Sequence, residues 1–448
     1  MIALSEVSLQ DIGNIIVKEA KNLGATDVAA VVHKIKRLQV RFSRNKIDVS
    51  SYWEYYAADI FVAINKKIGF STIESMRQED FLRSVNEAIA AAKLSEERKD
   101  FEGLYPGGNT YSKYKPISES VLDEEKIVDA SNAAINSALS CGAKNVAGVV
   151  YVTYMERGIF TSNGVEIICS PGRSSIEVSV RAFHEPEISG HGISVGVDWK
   201  HVDPESAGRE ASEIATRCTQ KIKINPGKYD VLFYPMAIAN LIEYLSMLLS
   251  GLYVYMKISP YAGRIGENIA SENFTLIDNP LREDSVGFVV ADDEGSPTRR
   301  KALIEKGVLK TYLLNYWLSR YFNLENTGNA GIIFPRAFTL EIQEGSESID
   351  SLESDLKEGI IITNTWYTRF QNYFTGDFST VPRDNAFYVK NGEIKGIVRN
   401  LRISDNLPLM FYRIVALGND VKQVKWWEVS VPTYTPSVLI QGVNLSVH

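Results

Sequence analysis

Residues Asp292, Asp293 and Glu294 stand side by side in ADDEGSPTRRKALIEKGVL (291–309), and carboxylates are the hard oxygen donors that Mg²⁺ or Ca²⁺ takes. Successive strand side chains point to opposite faces, so three neighbours converge on one ion only where the chain turns. Gly295 and Pro297 provide such a turn. A structural turn is the first expectation, and a Mg²⁺ or Ca²⁺ site the second. Zinc draws instead on imidazole and thiolate. The histidines are His33, His184, His191, His201 and His448, the cysteines Cys141, Cys169 and Cys218, and neither type occurs between residues 219 and 447. The acidic triplet therefore has no nitrogen or sulfur co-ligand in its own half of the chain.

HEPEISGH (184–191) offers His184, Glu185 and His191, but Pro186 and Gly190 interrupt any helix that would set two imidazoles one turn apart. These residues are expected on an exposed strand or hairpin. Cys218, beside Arg217, is expected at a helix as an inert, half-buried thiol. No Gly-x-Ser-x-Gly elbow, phosphate loop or dinucleotide fingerprint occurs.

These side chains are carried by a chain of 448 residues, long enough for two or three cores. Hydrophobic residues make up 45% and charged residues 23%, a globular balance without low-complexity tracts. The formal charge of -7 and basic runs no longer than Arg299-Arg300-Lys301 argue against direct nucleic-acid binding. Three cysteines point to a reducing compartment, and MIALSEVSLQDIG, with Glu6 and Asp11 early, reads as no secretory leader, so a cytoplasmic protein is expected. The apolar stretch 234–256 is long enough for a membrane span, yet Pro235, Asn240 and Glu243 favour a buried helix.

The first half contains a duplication. LGATDVAAVV (23–32) matches CGAKNVAGVV (141–150), and the same offset of 118 pairs Asn45 with Asn163 and Ile60, Val62 and Ile64 with Val178, Val180 and Ala182. Each copy (10–95 and 125–220) reads as helix, alternating antiparallel strands, helix, the last with Asp203 as N-cap and Pro204 in the first turn. GLYPGGNTYSKYKP (103–116) reads as the loop between two similar lobes. The expected class is α+β: this duplicated unit over 1–224, then a mainly antiparallel β unit over 225–448 with one long buried helix, 235–250. Strands are expected at VLKTYLL (308–314), AFTLEIQEG (337–345) and SVLIQGVNLSV (437–447), and a type I′ hairpin at Asn391-Gly392. The 235–250 helix is apolar around its circumference, with Ala237, Leu241, Tyr244 and Leu248 on one stripe and Ile238, Ile242, Leu245 and Leu249 on the next. It needs cover on every side.

SNGVE (162–166), SPYAGRIGENIA (259–270), DDEGSPTRRKALIEKGVLKTYLL (292–314), NTGNAG (326–331), YFTGDFS (373–379) and FYVKNGEIKGIVRNLRISDN (387–406) together resemble the TldD/PmbA proteins, once called modulators of DNA gyrase. The resemblance spans essentially the whole chain. It implies a zinc-dependent protease built from two related subunits, of which only the TldD type carries H-E-x-x-x-H and a cysteine near the C-terminus. Counting back from Ile265-Gly266-Glu267 places that motif on Ile242, Glu243 and Met247, where the chain reads IEYLSM. Trp426-Trp427 stand where the cysteine would fall. The resemblance therefore implies a PmbA/TldE-type subunit without a metal or cofactor of its own, zinc being held by a TldD-type partner, with unfolded peptides as substrates and self-pairing in isolation as an alternative assembly. An autonomous hydrolase using Glu243, Asp292 and Asp293 is the second reading, and action on DNA or gyrase the third.

Overall fold

The computed structural model describes residues 8–447, so His448 and the first seven residues of the stretch read for a leader lie outside the description. Helix α1 (Leu9–Asn22) starts at a capping box in which Ser8 and Asp11 satisfy each other's backbone donors, and it closes where Gly24 takes φ +97°. Strands β1 (Asp27–Ser43), β2 (Lys46–Ile64) and β3 (Lys67–Ser75) and helix α2 (Gln78–Leu94) complete the first copy. The second repeats the order with α3 (Glu124–Ser140), β4 (Asn145–Thr161), β5 (Glu166–Glu185), β6 (Ile188–Gly196) and α4 (Pro204–Thr216), the last capped by Asp203 as expected.

The two copies are not separate lobes. Their strands form one antiparallel sheet in the order β3-β2-β1-β4-β5-β6. In the central ladder Lys36 lies opposite Tyr154, its own counterpart in the repeat, so a pseudo-twofold axis passes between β1 and β4 at that pair. All four helices cover one face. Val28, Ala30 and Val32 pack under α1 and α2, and Leu38, Val40 and Phe42, of the same strand parity, pack under α3 and α4. Gly69 and Gly192 let the outer helices touch the sheet, since a Cβ at either would lie 2.2 Å from the Ala88 carbonyl oxygen or 2.1 Å from that of Ala207. The opposite face of the sheet packs against the second half of the chain, where Ala29, Phe61 and Ala63 join its core. Residues 103–116 form a loop, as predicted.

The second half holds two sheets. A ten-stranded sheet runs Trp366–Asn372, Asp377–Val381, Leu401–Asn406, Val438–Val447, Gly227–Phe233, Glu358–Ile362, Ala386–Lys390, Glu393–Val398 and Lys221–Ile222, with Ile414–Leu417 paired on Val438–Val447. A six-stranded sheet ends in the hairpin of Lys422–Trp426 and Val429–Thr435. Pairing is mostly antiparallel, with parallel pairs such as Glu358–Ile362 on Gly227–Phe233. The Asn391-Gly392 turn has φ of 55° and 73°, the type I′ signature. Two predicted strands are shorter than expected: the paired stretches are Val308–Leu309 and Leu340–Ile342, with Leu313 making an isolated bridge to Ser250.

Helix α5 (Pro235–Leu248) ends two residues before the predicted limit, at the C-cap Leu249. Its cover comes from this chain: Ala237, Ile238, Leu241, Ile242, Leu245 and Leu248 are all fully buried in the largest core, and Met236 and Ala239 pack on the underside of the 422–435 hairpin. Among the described residues no helix is long and apolar enough to cross a membrane.

Candidate functional site

Two of the positions aligned with the H-E-x-x-x-H motif diverge within one helix. Ile242 points into hydrocarbon and is fully buried, whereas Glu243 points the other way, to the 422–435 hairpin. Met247 is half-buried and outside the core around Ile242. The Glu243 carboxylate is fully engaged: Oε2 accepts from the Ser430 backbone N–H at 2.8 Å and from that of Val431 at 3.4 Å, and Oε1 accepts from the Ser430 hydroxyl. Burial raises its pKa, and the Ser430 and Val431 donors pull in the opposite direction. One turn earlier the wholly buried Asn240 donates to the Glu428 carbonyl at 2.7 Å and accepts from Thr365 and Thr368. Asn240 and Glu243 thus clamp α5 to the hairpin with ordinary hydrogen bonds. Trp426 and Trp427, at the hairpin's end, supply bulk and no thiolate; Trp426 is buried and Trp427 is 65% exposed. These donors do not suit zinc.

The acidic triplet does form the expected turn, closed by a hydrogen bond from the Gly295 N–H to the Asp292 carbonyl. The turn is buried, however, not solvated: Asp292, Asp293 and Glu294 are 0%, 5% and 6% exposed. Asp292 accepts from the N–H groups of Glu294, Ser296 and Ala330 at 3.0, 2.8 and 2.9 Å. Asp293 pairs with Arg157 of β4 at 2.5 Å and so joins the turn to the N-terminal sheet. Glu294 receives the Tyr316 N–H at 3.2 Å. Burial, reinforced by the neighbouring carboxylates, raises the pKa of Asp292 to about 7 and that of Glu294 well above its ordinary value. The N–H donors of Ala330, Ser296 and Glu294 oppose the shift at Asp292, and those of Tyr316 and Tyr105 oppose it at Glu294. Each carboxylate faces a different partner, and among the described residues no group of His, Cys, Asp and Glu is placed to hold a metal ion.

His191 is a correction to the expected exposure. It is 2% exposed, its Nε2 lies 2.8 Å from the Ser179 hydroxyl, and its ring meets Trp426 edge-on at 4.9 Å. It lies on the sheet face that the second half covers, and burial lowers its pKa to about 3. His184, half-buried, sits near the end of β5. His201 bonds Asp198 at 2.6 Å. Cys218 follows the end of α4 instead of lying on it, and all three cysteines are free and half-buried.

Between the acidic turn and the Glu243-bound strand lies a cavity of about 220 Å³, whose walls include His33, Arg157, Arg173, Arg336, Phe338 and Ser430. Its cations are not all neutralised alike: Arg157 holds Asp293, while Arg173 stacks on Phe288 at 4.5 Å and donates to backbone carbonyls. Residues of both halves thus enclose a space with apolar walls and donor groups.

Profiles of the PmbA/TldA metallopeptidase match the chain in three parts: domain 1 at 28–92, the central domain at 116–219 and the C-terminal domain at 226–447. The chain belongs to the TldD/PmbA family. It is 29% identical over 337 residues to an uncharacterised protein of Methanocaldococcus jannaschii, covering 73% of this chain and 76% of that one. It is 22% identical over 438 residues to a metalloprotease PmbA homologue of Haemophilus influenzae, covering 94% of each. TldE from Thermococcus kodakarensis superposes with a TM-score of 0.82 at 21% identity, over 97% of this chain and all of that one, and so shares the fold. Within this family, sequence reasoning missed the tie from Glu243 to Ser430 and Val431, because the partners are 187 and 188 residues away.

Proposed function

We propose that this chain is the non-catalytic, PmbA/TldE-type subunit of a TldD/TldE-type metalloprotease complex acting on unfolded peptides, organised as a duplicated unit to residue 224 and a β-rich unit from 225. The observation that carries this reading is the engagement of Glu243: the one motif residue retained spends its lone pairs on Ser430 and Val431 and has no imidazole beside it. The positions aligned with the histidines are a core isoleucine and a methionine, and no His or Cys occurs between 219 and 447. In the complex the zinc belongs to a TldD-type partner, and this subunit contributes a wall of the peptide chamber. The setting is the cytoplasm, without direct contact to nucleic acid, and the chain pairs with itself only when the partner is absent.

Metal analysis and a mixing experiment test this reading. The purified chain should contain no stoichiometric zinc, and peptide cleavage should appear only after an H-E-x-x-x-H partner from the same organism is added. Zinc at one per chain, or chelator-sensitive cleavage by this chain alone, would overturn it in favour of an autonomous hydrolase.

A further inference from the structure

Beside the Glu243 clamp, where Trp366 meets the 381–384 loop and the 398–402 turn, lies a cleft of about 510 Å³ lined by Arg383, Arg399 and Arg402. In a chain of net charge -7 this local excess of guanidinium groups is unusual. All three are half-buried, and among the described residues none of them forms an ion pair. Arg402 donates to the Ser379 hydroxyl at 3.2 Å. Among the described residues Arg383 has no hydrogen-bond acceptor; its guanidinium lies 5.4, 5.9 and 4.9 Å from the ring centres of Trp366, Trp426 and Trp427.

Among the described residues the acids nearby form no ion pair with these groups: Glu187, within electrostatic reach of Arg399, is paired with Lys221 at 2.9 Å, and Asp384 acts on Arg383 without pairing with it. Asp384 is fully buried and already accepts from Arg181 at 2.7 Å, Ser189 at 2.6 Å and Asn364 at 2.7 Å. Glu428 is the other acid near Arg383, and it forms no ion pair with it. A half-buried guanidinium without an anion is costly, and burial together with Arg181 pulls the Arg383 pKa below its ordinary value. Aromatic faces compensate in part, since the ring quadrupole attracts a cation held over Trp.

Two further aromatic rings stand beside the cleft. Tyr367 holds φ 55°, a left-handed backbone rare for a bulky residue, and it is 54% exposed with its ring 4.4 Å from that of Trp366. Trp427 completes the ledge at 6.1 Å from Trp366.

We propose that this cleft binds a peptide carboxylate through Arg383, Arg399 and Arg402, with the residue that bears it stacked on Trp366, Tyr367 and Trp427. The proposal rests on the peptide-handling reading above and adds a ligand class to it. Guanidinium forks suit carboxylates because two parallel N–H donors meet two oxygens. The aromatic ledge favours an apolar or aromatic neighbour.

Calorimetric titration of the full chain with three matched unstructured peptides tests it: one ending in a free phenylalanine acid, its C-terminal amide, and the amide with an internal Glu. The free acid should bind at least about tenfold more tightly than the plain amide, the worth of one charge-assisted pair. That preference should vanish in Arg383→Gln and in the Arg399→Gln/Arg402→Gln pair, with unchanged circular dichroism; the pair serves if Arg383→Gln does not fold. Equal binding of the Glu-bearing amide and the free acid would assign the carboxylate to a side chain and still support the site. Equal binding of acid and plain amide would overturn the proposal. So would variants that keep the preference but lose association with the H-E-x-x-x-H partner, since the cleft would then be a subunit contact. In either case cleavage by the mixed subunits would leave the subunit reading standing.

Discussion

Replacing Glu243 separates a structural carboxylate from a chemical one. In Glu243→Ala the N–H groups of Ser430 and Val431 and the Ser430 hydroxyl lose their acceptor. Hydrogen bonds to a charged group contribute about 1.5–3 kcal/mol each, but Ser430 is exposed, so water recovers part of the loss. The net destabilisation should be about 2 kcal/mol for Ala and about 1 kcal/mol for Gln, which keeps one oxygen. Because burial raises the folded-state pKa of Glu243, the native state binds its proton more tightly than the unfolded chain. Its contribution to stability therefore falls as pH rises from the ordinary glutamate range through the raised value, and Gln removes that slope. Urea unfolding of wild type and Glu243→Gln, followed upward in pH from the ordinary glutamate range, reads both effects. In the mixed complex Glu243→Gln should leave peptide cleavage largely intact. Unaltered stability with abolished cleavage would refute the reasoning, because the carboxylate would then act on substrate and not on the hairpin.

Three further outcomes follow from buried polar groups. His191, held neutral with a pKa of about 3, should cost the folded state about 2 kcal/mol between pH 7 and pH 5, as only the unfolded chain takes up the proton; the drop should be missing in urea unfolding of His191→Gln. Asp292→Ala strands three buried N–H donors and should destabilise by about 3 kcal/mol, whereas Glu294→Gln, which mimics a protonated carboxyl, should stay within about 1 kcal/mol of wild type and should flatten the gain in stability as pH falls from the raised Glu294 pKa toward the ordinary glutamate range, as thermal unfolding would show. Asn240→Ala should cost about 2–3 kcal/mol and raise amide exchange selectively at the hairpin's end, 427–431, as measured by hydrogen–deuterium exchange.

The sequence carried the features that repeat or alternate locally. The offset of 118 appears in the ladder as the Lys36–Tyr154 pair, the caps at Asp203 and Gly24 stand where their residue types put them, and Asn391-Gly392 turns as its backbone preference requires. The burial of His191 could not be read that way. Its strand, ISGHGISVG, mixes Ser, Gly and His with few large apolar residues, and what covers it, Asn364 and Trp426, comes from residues more than 170 positions away. The cluster of Arg383 with Trp366 and Trp427 likewise assembles from a strand start, a loop and a hairpin turn that share no local pattern. The apolar circumference of α5 was legible, but its cover, supplied by the chain's own sheets, was not.

The 422–435 hairpin ties the two halves of the chain together through side chains alone among the described residues. Where the family resemblance places a motif helix and a ligand-bearing hairpin, an ion bridging both would fix their spacing. Here Asn240 and Glu243 fix it from the helix side. From the N-terminal sheet, Glu177 pairs with Lys425, Glu210 of α4 pairs with Lys422 at 2.5 Å, and His191 presses on Trp426. The hairpin is thus held between α5 and the β5–β6 edge by at least five side chains. That arrangement commits these donors and acceptors to structure, so freeing Glu243 for any other ligand would first require the hairpin to be unclamped.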